Sequence, residues 1–462
     1  MLKRKIGLFE ARDLTTGGIY RNLFAMAVPT ALGFLGQTIY DVVDMIWLGR
    51  ISTKAVAGVT VFATIFWSVE ALNEIIGISS VSLIGQSYGA KNTARTNRII
   101  EQTLTFKSLV ALIAMVILLL VLKPLLGFLT QDSTVLKDAM DYGYIRIFFL
   151  PIMFSSYTVN TALRCIGDAK SPMLIMLFAA CLNIVLDPIL IFDKIPGTSI
   201  PGLNLGVFGA ALATVISTSI AVAIGFYLLY SGKRGVKISL KGLLKLDWSI
   251  DNKLITIGLP TGFELLSRNI SWYIAMKIIA SFGTVAVATI GIGTRFTGLL
   301  LMPILGLYVG SSSIIGQTLG ANKIDRSKKT VKASAVLGML IMGVGGIFAL
   351  LFPDLIMRMF INEQPVIDLG RNMIRILGPG MVFLAAFYGF SSAFGGAGYM
   401  QPFISSTIIS RWCFMIPLLI LLIVLLKSPI EAIWIILILT DAVAAVVMMI
   451  NYKRGKWEIK RV

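Results

Sequence analysis

The sequence predicts an all-α polytopic membrane protein with twelve transmembrane helices in two pseudo-symmetric six-helix bundles. Three observations carry this. The composition is 56% hydrophobic and only 14% charged, whereas soluble domains hold about a quarter charged residues. Apolar runs of the bilayer-crossing length, about 20 residues, recur along the chain. The chain also repeats itself. Val28-Pro29-Thr30 returns as Leu259-Pro260-Thr261, and Ile84-Gly85-Gln86-Ser87-Tyr88-Gly89-Ala90 returns as Ile315-Gly316-Gln317-Thr318-Leu319-Gly320-Ala321, both at a spacing of 231 residues in a chain of 462. Arg95 and Arg326 keep that spacing. Such a repeat is a duplicated membrane unit.

Six spans fall at roughly 22–48, 57–87, 102–129, 139–166, 172–193 and 205–230, and six more at roughly 254–281, 286–318, 332–357, 371–397, 403–426 and 429–450. The turns between them are short and punctuated by Gly and Pro; the richest, Pro196–Gly206, is expected outside. Residues 1–231 form a first lobe, 232–253 a cytoplasmic linker and 254–462 a second lobe. In the linker, Val236, Ile238, Leu240, Leu243, Leu244 and Leu246 alternate with lysines, which predicts an amphipathic segment on the inner leaflet.

Basic residues choose the orientation. Lys3, Arg4, Lys5 and Arg12 precede the first span. Lys91, Arg95 and Arg98 follow the second, and Lys233, Arg234, Lys237, Lys241 and Lys245 lie in the linker. Lys323, Arg326, Lys328 and Lys329 follow the eighth span, and Lys453, Arg454, Lys456, Lys460 and Arg461 end the chain. The opposite loops are poorer, so the positive-inside rule places both termini and the linker in the cytoplasm of a cell-membrane protein. The formal charge of +18 is spread between apolar spans and does not suggest nucleic acid. No cleavable signal is apparent. Cys165, Cys181 and Cys413 lie in apolar segments and read as packing residues. Without histidine, proton chemistry near neutrality rests on carboxylates.

The repeat is asymmetric in its acids. Asp44, Glu70 and Glu74 lie in spans of the first half, and the equivalent positions of the second are Ala275, Leu301 and Leu305. One lobe is therefore expected to carry buried carboxylates where its twin carries none, and intramembrane acids are functional candidates by default. Gln37, Tyr40, Asp41 and Asp44 follow helical steps and share a face, which must turn to protein or water rather than lipid. Asn183 and Asp187 lie one turn apart, and Pro188 loosens that turn by removing a backbone donor. A carboxylate, an amide and a loosened carbonyl suit a cation or a proton. Glu70 and Glu74 also lie one turn apart. Two carboxylates there repel unless a proton, a cation or a base from another helix, such as Lys107, Lys277 or Arg295, intervenes. Glu264 and Arg268 read as an internal ion pair. No phosphate-binding loop, metal-ligand cluster or nucleophile elbow is present, so no cofactor is expected and an ion gradient, or the cargo's own, must supply energy.

Together these residues resemble the multidrug and toxic compound extrusion (MATE) family over nearly the whole chain. The first span is similar to that family's pattern in Pro29, Gln37, Tyr40, Asp44, Gly49 and Arg50. The twin loops at Gly85-Gln86 and Gly316-Gln317 resemble its paired cytoplasmic loops. Arg164-Cys165-Ile166-Gly167-Asp168 with Pro172, Asn183 to Pro188, Gly209-Ala210-Ala211 with Thr214, and Arg295 with Pro303 and Gly306 continue the likeness. The resemblance implies a monomeric two-lobe antiporter that exports small lipophilic organic cations against inward H⁺ or Na⁺. It looks closest to the branch named for DinF, whose site lies in the first lobe. Carried over, that site is Gln37, Tyr40, Asp44, Met176, Asn183, Asp187 and Thr214. A Na⁺ site is buildable from Asp44, Asn183, Asp187 and Thr214. Asp41 departs from the family's Asn, and Glu70 and Glu74 are additional acids; all three fit a more cationic cargo or a different coupling ion. Two other readings are a flippase for lipid-linked saccharides and a membrane enzyme on prenyl diphosphates that would hold Mg²⁺ on Asp41 and Asp44.

Overall fold

The computed structural model describes residues 12–462. Lys3, Arg4 and Lys5 lie outside the described residues. In the first half the helices are α1 (Ile19–Ile51), α2 (Thr53–Gly89), α3 (Thr93–Leu129), α4 (Ser133–Phe148), α5 (Leu150–Cys165), α6 (Lys170–Ile191) and α7 (Gly206–Tyr230). A single turn, α8 (Leu240–Leu243), stands in the linker. The second half holds α9 (Trp248–Ala280), α10 (Thr284–Gly320), α11 (Ile324–Leu351), α12 (Pro353–Arg358), α13 (Gln364–Ala397), α14 (Gln401–Thr407), α15 (Ile416–Leu418) and α16 (Glu431–Lys453).

These helices supply the twelve spans of the fold. Among the described residues, ten helical stretches are long and apolar enough to cross a membrane. The fourth span falls short because it is split at Phe149 into α4 and α5. Pro151, in the first turn of α5, has no N–H for the carbonyl one turn earlier, so the helix restarts there. The seventh span, α9, carries Asp251, Lys253, Glu264, Arg268 and Lys277 and is less apolar. The eleventh runs from Gln401 to Leu425 with wide π-type turns at Ile408–Met415 and Leu419–Leu425 on either side of Pro417, where the ladder must open.

The chain divides into two compact units. Among the described residues, the first holds Arg12, Asp13 and Leu32–Ile255; the second holds Leu14–Ala31 and Thr256–Val462. In the first, α6 pairs with α7, and α2 packs on α3, α4 and α5 around Phe62, Phe66, Tyr142 and Phe154. The second half of α1 approaches α6 at its glycines: a Cβ at Gly36 would lie 2.5 Å from Leu177, and one at Gly33 would lie 3.1 Å from Met176 Sδ. Small residues are what let membrane helices come this close.

In the second unit α13 is the hub, packed on α10, α11 and α16. Residues 14–31 join it for local reasons. A Cβ at Gly306 of α10 would lie 2.7 Å from the Ala27 carbonyl oxygen. The Leu14 N–H donates to Gln317 Oε1 at 3.2 Å, and Arg326 donates to the carbonyls of Leu14, Thr16 and Gly17 at 3.1, 2.6 and 2.8 Å.

The linker is mostly non-helical. Only one turn forms, Val236 and Ile238 are buried, and Leu240, Leu244 and Leu246 are exposed. The rest is pinned along α3. Glu101 accepts from the Ser239 N–H at 2.7 Å and its hydroxyl at 2.9 Å. Arg98 donates to the carbonyls of Gly242 at 2.8 Å and Lys245 at 3.0 Å. The Asp247 N–H reaches Gln102 at 2.8 Å. Side chains of α3 thus satisfy backbone groups that a helix would have paired within itself.

Candidate functional site

The candidate site lies in the first unit, where α1, α4, α6 and α7 supply its polar side chains. Asp187 is completely buried, and Asn183, Thr214 and Asp44 are nearly so. The helical step from Asn183 to Asp187 places both on one face of α6, where Asn183 Nδ2 donates to Asp187 Oδ1 at 3.3 Å. The same amide reaches Thr214 Oγ1 on α7 at 3.4 Å. Thr214 in turn donates to the Ala210 carbonyl at 3.2 Å, which turns its remaining lone pair toward Asn183. The charge that acts on Asp187 is that of Asp44.

Asp44 accepts a hydrogen bond from Tyr142 of α4, and Asp41 one from Tyr40. Arg146, one turn after Tyr142, is the cation acting on both Asp41 and Asp44. Three oxygens in this group find no donor: Asp44 Oδ1, Asn183 Oδ1 and Asp187 Oδ2. Buried oxygens left without a partner are costly. A proton or a small cation would complete them, whereas another acceptor would not.

The expected residues therefore separate into groups. Asp44, Asn183, Asp187 and Thr214 are buried together, whereas Tyr40 is half-buried and Asp41 exposed at the edge of the group, where Arg146 acts on Asp41 and Asp44 alike. Met176 is two turns before Asn183 on α6 and packs at Gly33 of α1. Gln37 is exposed. Glu70 and Glu74 form a second cluster with a base from α3. Lys107 is fully buried, and its charge acts on both. Tyr157 donates to Glu74 at 3.3 Å and Asn73 to Glu70 at 2.8 Å. Of the three bases considered, the structure thus selects Lys107.

Two corrections follow. The second unit is not empty of buried carboxylates. Glu264 is nearly buried, faces Arg268 Nε at 3.5 Å and accepts from Thr407 at 3.1 Å. Asp441 of α16, which the sequence reading passed over, answers to Arg411. The asymmetry is instead one of pairing. Glu264 and Asp441 of the second unit have an arginine each, while the charge acting on Asp187 is that of another acid. The reading also missed Tyr142 and Arg146. Their one signal was a Tyr and an Arg four residues apart, on one face of a helix, in the fourth span.

The sequence profile of the MatE family matches residues 29–189 and 260–421, one stretch in each half. The protein belongs to the MATE family. It is a membrane transporter and not an enzyme, so the Mg²⁺-dependent prenyl-diphosphate reading falls away. It is 28% identical to "Probable multidrug resistance protein YoeA" of Bacillus subtilis over 78% of this chain and 77% of that one. It is 26% identical to "Probable multidrug resistance protein NorM" of Thermotoga maritima over 96% and 94%. Its fold is that of a MOP superfamily transporter from Pyrococcus furiosus described as having a binding pocket of reversed polarity. That match has a TM-score of 0.88 at 22% identity and covers 97% of this chain and 98% of that one.

Proposed function

We propose that this MATE-family protein is a secondary active antiporter that exports small organic cations in exchange for inward H⁺ or Na⁺, with the exchange site in the first six-helix bundle. The observation that carries the reading is the set of three partnerless buried oxygens on Asp44, Asn183 and Asp187. The charge that acts on Asp187 there is that of Asp44, and no cation is among the groups acting on it. Such a pair is occupied in one of two ways: by a small ion or proton, or by the cationic head of a cargo. Mutual exclusion on the same acids is what makes an exchanger, because loading one species expels the other.

Relatives named for multidrug resistance support an organic cargo. Tyr40, Tyr142 and the adaptable Met176 offer a wall on which varied apolar groups can pack. Thr214 and Asn183 supply neutral oxygens beside the two acids, as a dehydrated Na⁺ requires; the proton needs only Asp44 or Asp187. In this reading the protein sits in the cell membrane with both termini and the linker cytoplasmic, and works as a monomer with lipid around it.

The test is efflux of a fluorescent organic cation from proteoliposomes under an imposed ΔpH or ΔNa⁺. Asp44→Asn and Asp187→Asn should each abolish gradient-driven export. Wild-type rates in the double variant would overturn the assignment.

A further inference from the structure

Arg146 and Arg164 both have a buried Nε without an acceptor and a ring against the guanidinium, but Arg146 is the one on which Asp41 and Asp44 of the candidate site act. Its guanidinium carbon lies 5.0 Å from the centroid of the Phe66 ring on α2 and 5.6 Å from that of Tyr142. Phe62 joins these rings, with centroids 5.6 Å from each. Nη1 donates to the Tyr142 hydroxyl at 3.4 Å, and Nε is buried with no acceptor. Asp41 and Asp44 act on its charge, yet it closes to ion-pair contact with neither. The guanidinium thus rests against aromatic rings, within electrostatic reach of two carboxylates and held by one long hydrogen bond.

An arginine kept for structure normally takes a carboxylate in a bidentate fork. An aromatic face beside carboxylates, with no fork, is instead the environment that receives a loose organic cation. The guanidinium is itself planar and delocalised, and it stacks on rings where a compact ammonium stays hydrated. We propose that Arg146 is a tethered stand-in for cargo: it occupies, in the unloaded site, the seat that the cationic head of the cargo takes, and Phe66 is the floor of that seat. The proposal rests on the antiporter reading and adds the class of cargo. That class is a planar, charge-delocalised cation, which displaces Arg146 and takes its place above Phe66 and before Asp41 and Asp44.

The device has a use. A site with two buried acids, Asp44 and Asp187, and a third, Asp41, at its exposed edge would be strongly negative without cargo, which is costly where the charges are poorly solvated. Arg146 offsets one of those charges, and it does so next to Asp41, the acid that the family pattern lacks. A cation that binds must then compete with a side chain at high effective concentration. This favours cargos whose flat aromatic surface gains more from Phe66 than the guanidinium does.

The test uses the full-length protein in detergent, with ethidium as a planar probe and choline as a tetrahedral one. Arg146→Gln removes the competitor and should tighten ethidium binding by about tenfold while changing choline much less. Millimolar methylguanidinium should displace ethidium from this variant more effectively than from wild type. Phe66→Leu keeps the apolar bulk and removes the ring, and should weaken ethidium by about tenfold. Unchanged or weaker ethidium binding in a folded Arg146→Gln protein would overturn the proposal, as would unchanged binding in Phe66→Leu. If Arg146→Gln does not fold, the Phe66 variant decides. Failure of the antiporter reading looks different: wild type would bind ethidium yet show no gradient-driven efflux.

Discussion

Asp187 Oδ1 accepts the Asn183 amide at 3.3 Å, one turn back on the same helix, while Asp187 Oδ2 meets no donor at all. Half of this carboxylate is built into α6 and half is left open. Asn183→Ala removes the built half. It should cost about 1–3 kcal/mol of stability, the penalty of a buried acceptor without its donor. Cargo efflux should fall with it. Asn183→Asp should be worse for transport, since it adds a third carboxylate beside Asp187. Thermal unfolding in detergent and efflux in proteoliposomes check both.

Lys107 and Glu74 should behave as a buried pair. Lys107→Met leaves Glu70 and Glu74 without their cation and should destabilise the protein by about 3–5 kcal/mol. Adding Glu74→Gln to that variant should restore much of the loss, because a neutral amide replaces the abandoned charge. A double-mutant cycle on unfolding midpoints reads the coupling. Additive effects would separate the two residues.

The linker should be releasable by one methyl group. A Cβ at Gly242 would lie 2.0 Å from Glu101 Oε2, and Glu101 is already committed to Ser239. Gly242→Ala should free residues 239–247 and speed tryptic cleavage at Lys241 and Lys245 severalfold, with little change in global unfolding. Cleavage at the wild-type rate would contradict the clamp.

The same segment should respond to acid. Asp247 accepts from the Ser249 hydroxyl at 2.6 Å and its N–H at 3.1 Å, and these bonds hold its carboxyl below the usual carboxylate range. A depressed folded-state value means that the contribution is present above the ordinary carboxylate pKa and is lost as pH falls through the lower, folded-state one. Hydrogen exchange at the start of α9 should therefore stay slow at mildly acidic pH and accelerate only below that range. Acceleration already near neutrality would argue against the cap.

The sequence made the spans legible because hydropathy and the repeat are properties of long stretches. It made Asn183 with Asp187, and Glu70 with Glu74, legible because helical steps are local. The break at Phe149 was signalled by Pro151, yet the apolar run masked it. What could not be read were partners from other helices. Nothing in span four assigns Arg146 to Asp41 and Asp44, and nothing near Asp441 announces Arg411. The linker shows the same limit: its leucines and lysines fit an amphipathic segment, but nothing in them says that Arg98, Glu101 and Gln102 of a distant helix take its backbone groups.

The central claim is that cargo and a small ion contend for Asp44 and Asp187. The direct measurement is ion release on cargo binding, with purified transporter in weakly buffered solution, a pH electrode, and bound ²²Na⁺ counted in parallel. Titrating ethidium into wild type should release protons or displace Na⁺ in proportion to occupancy, and the Asp44→Asn, Asp187→Asn protein should release neither. Saturating ethidium binding with no ion leaving the wild-type protein would contradict the account.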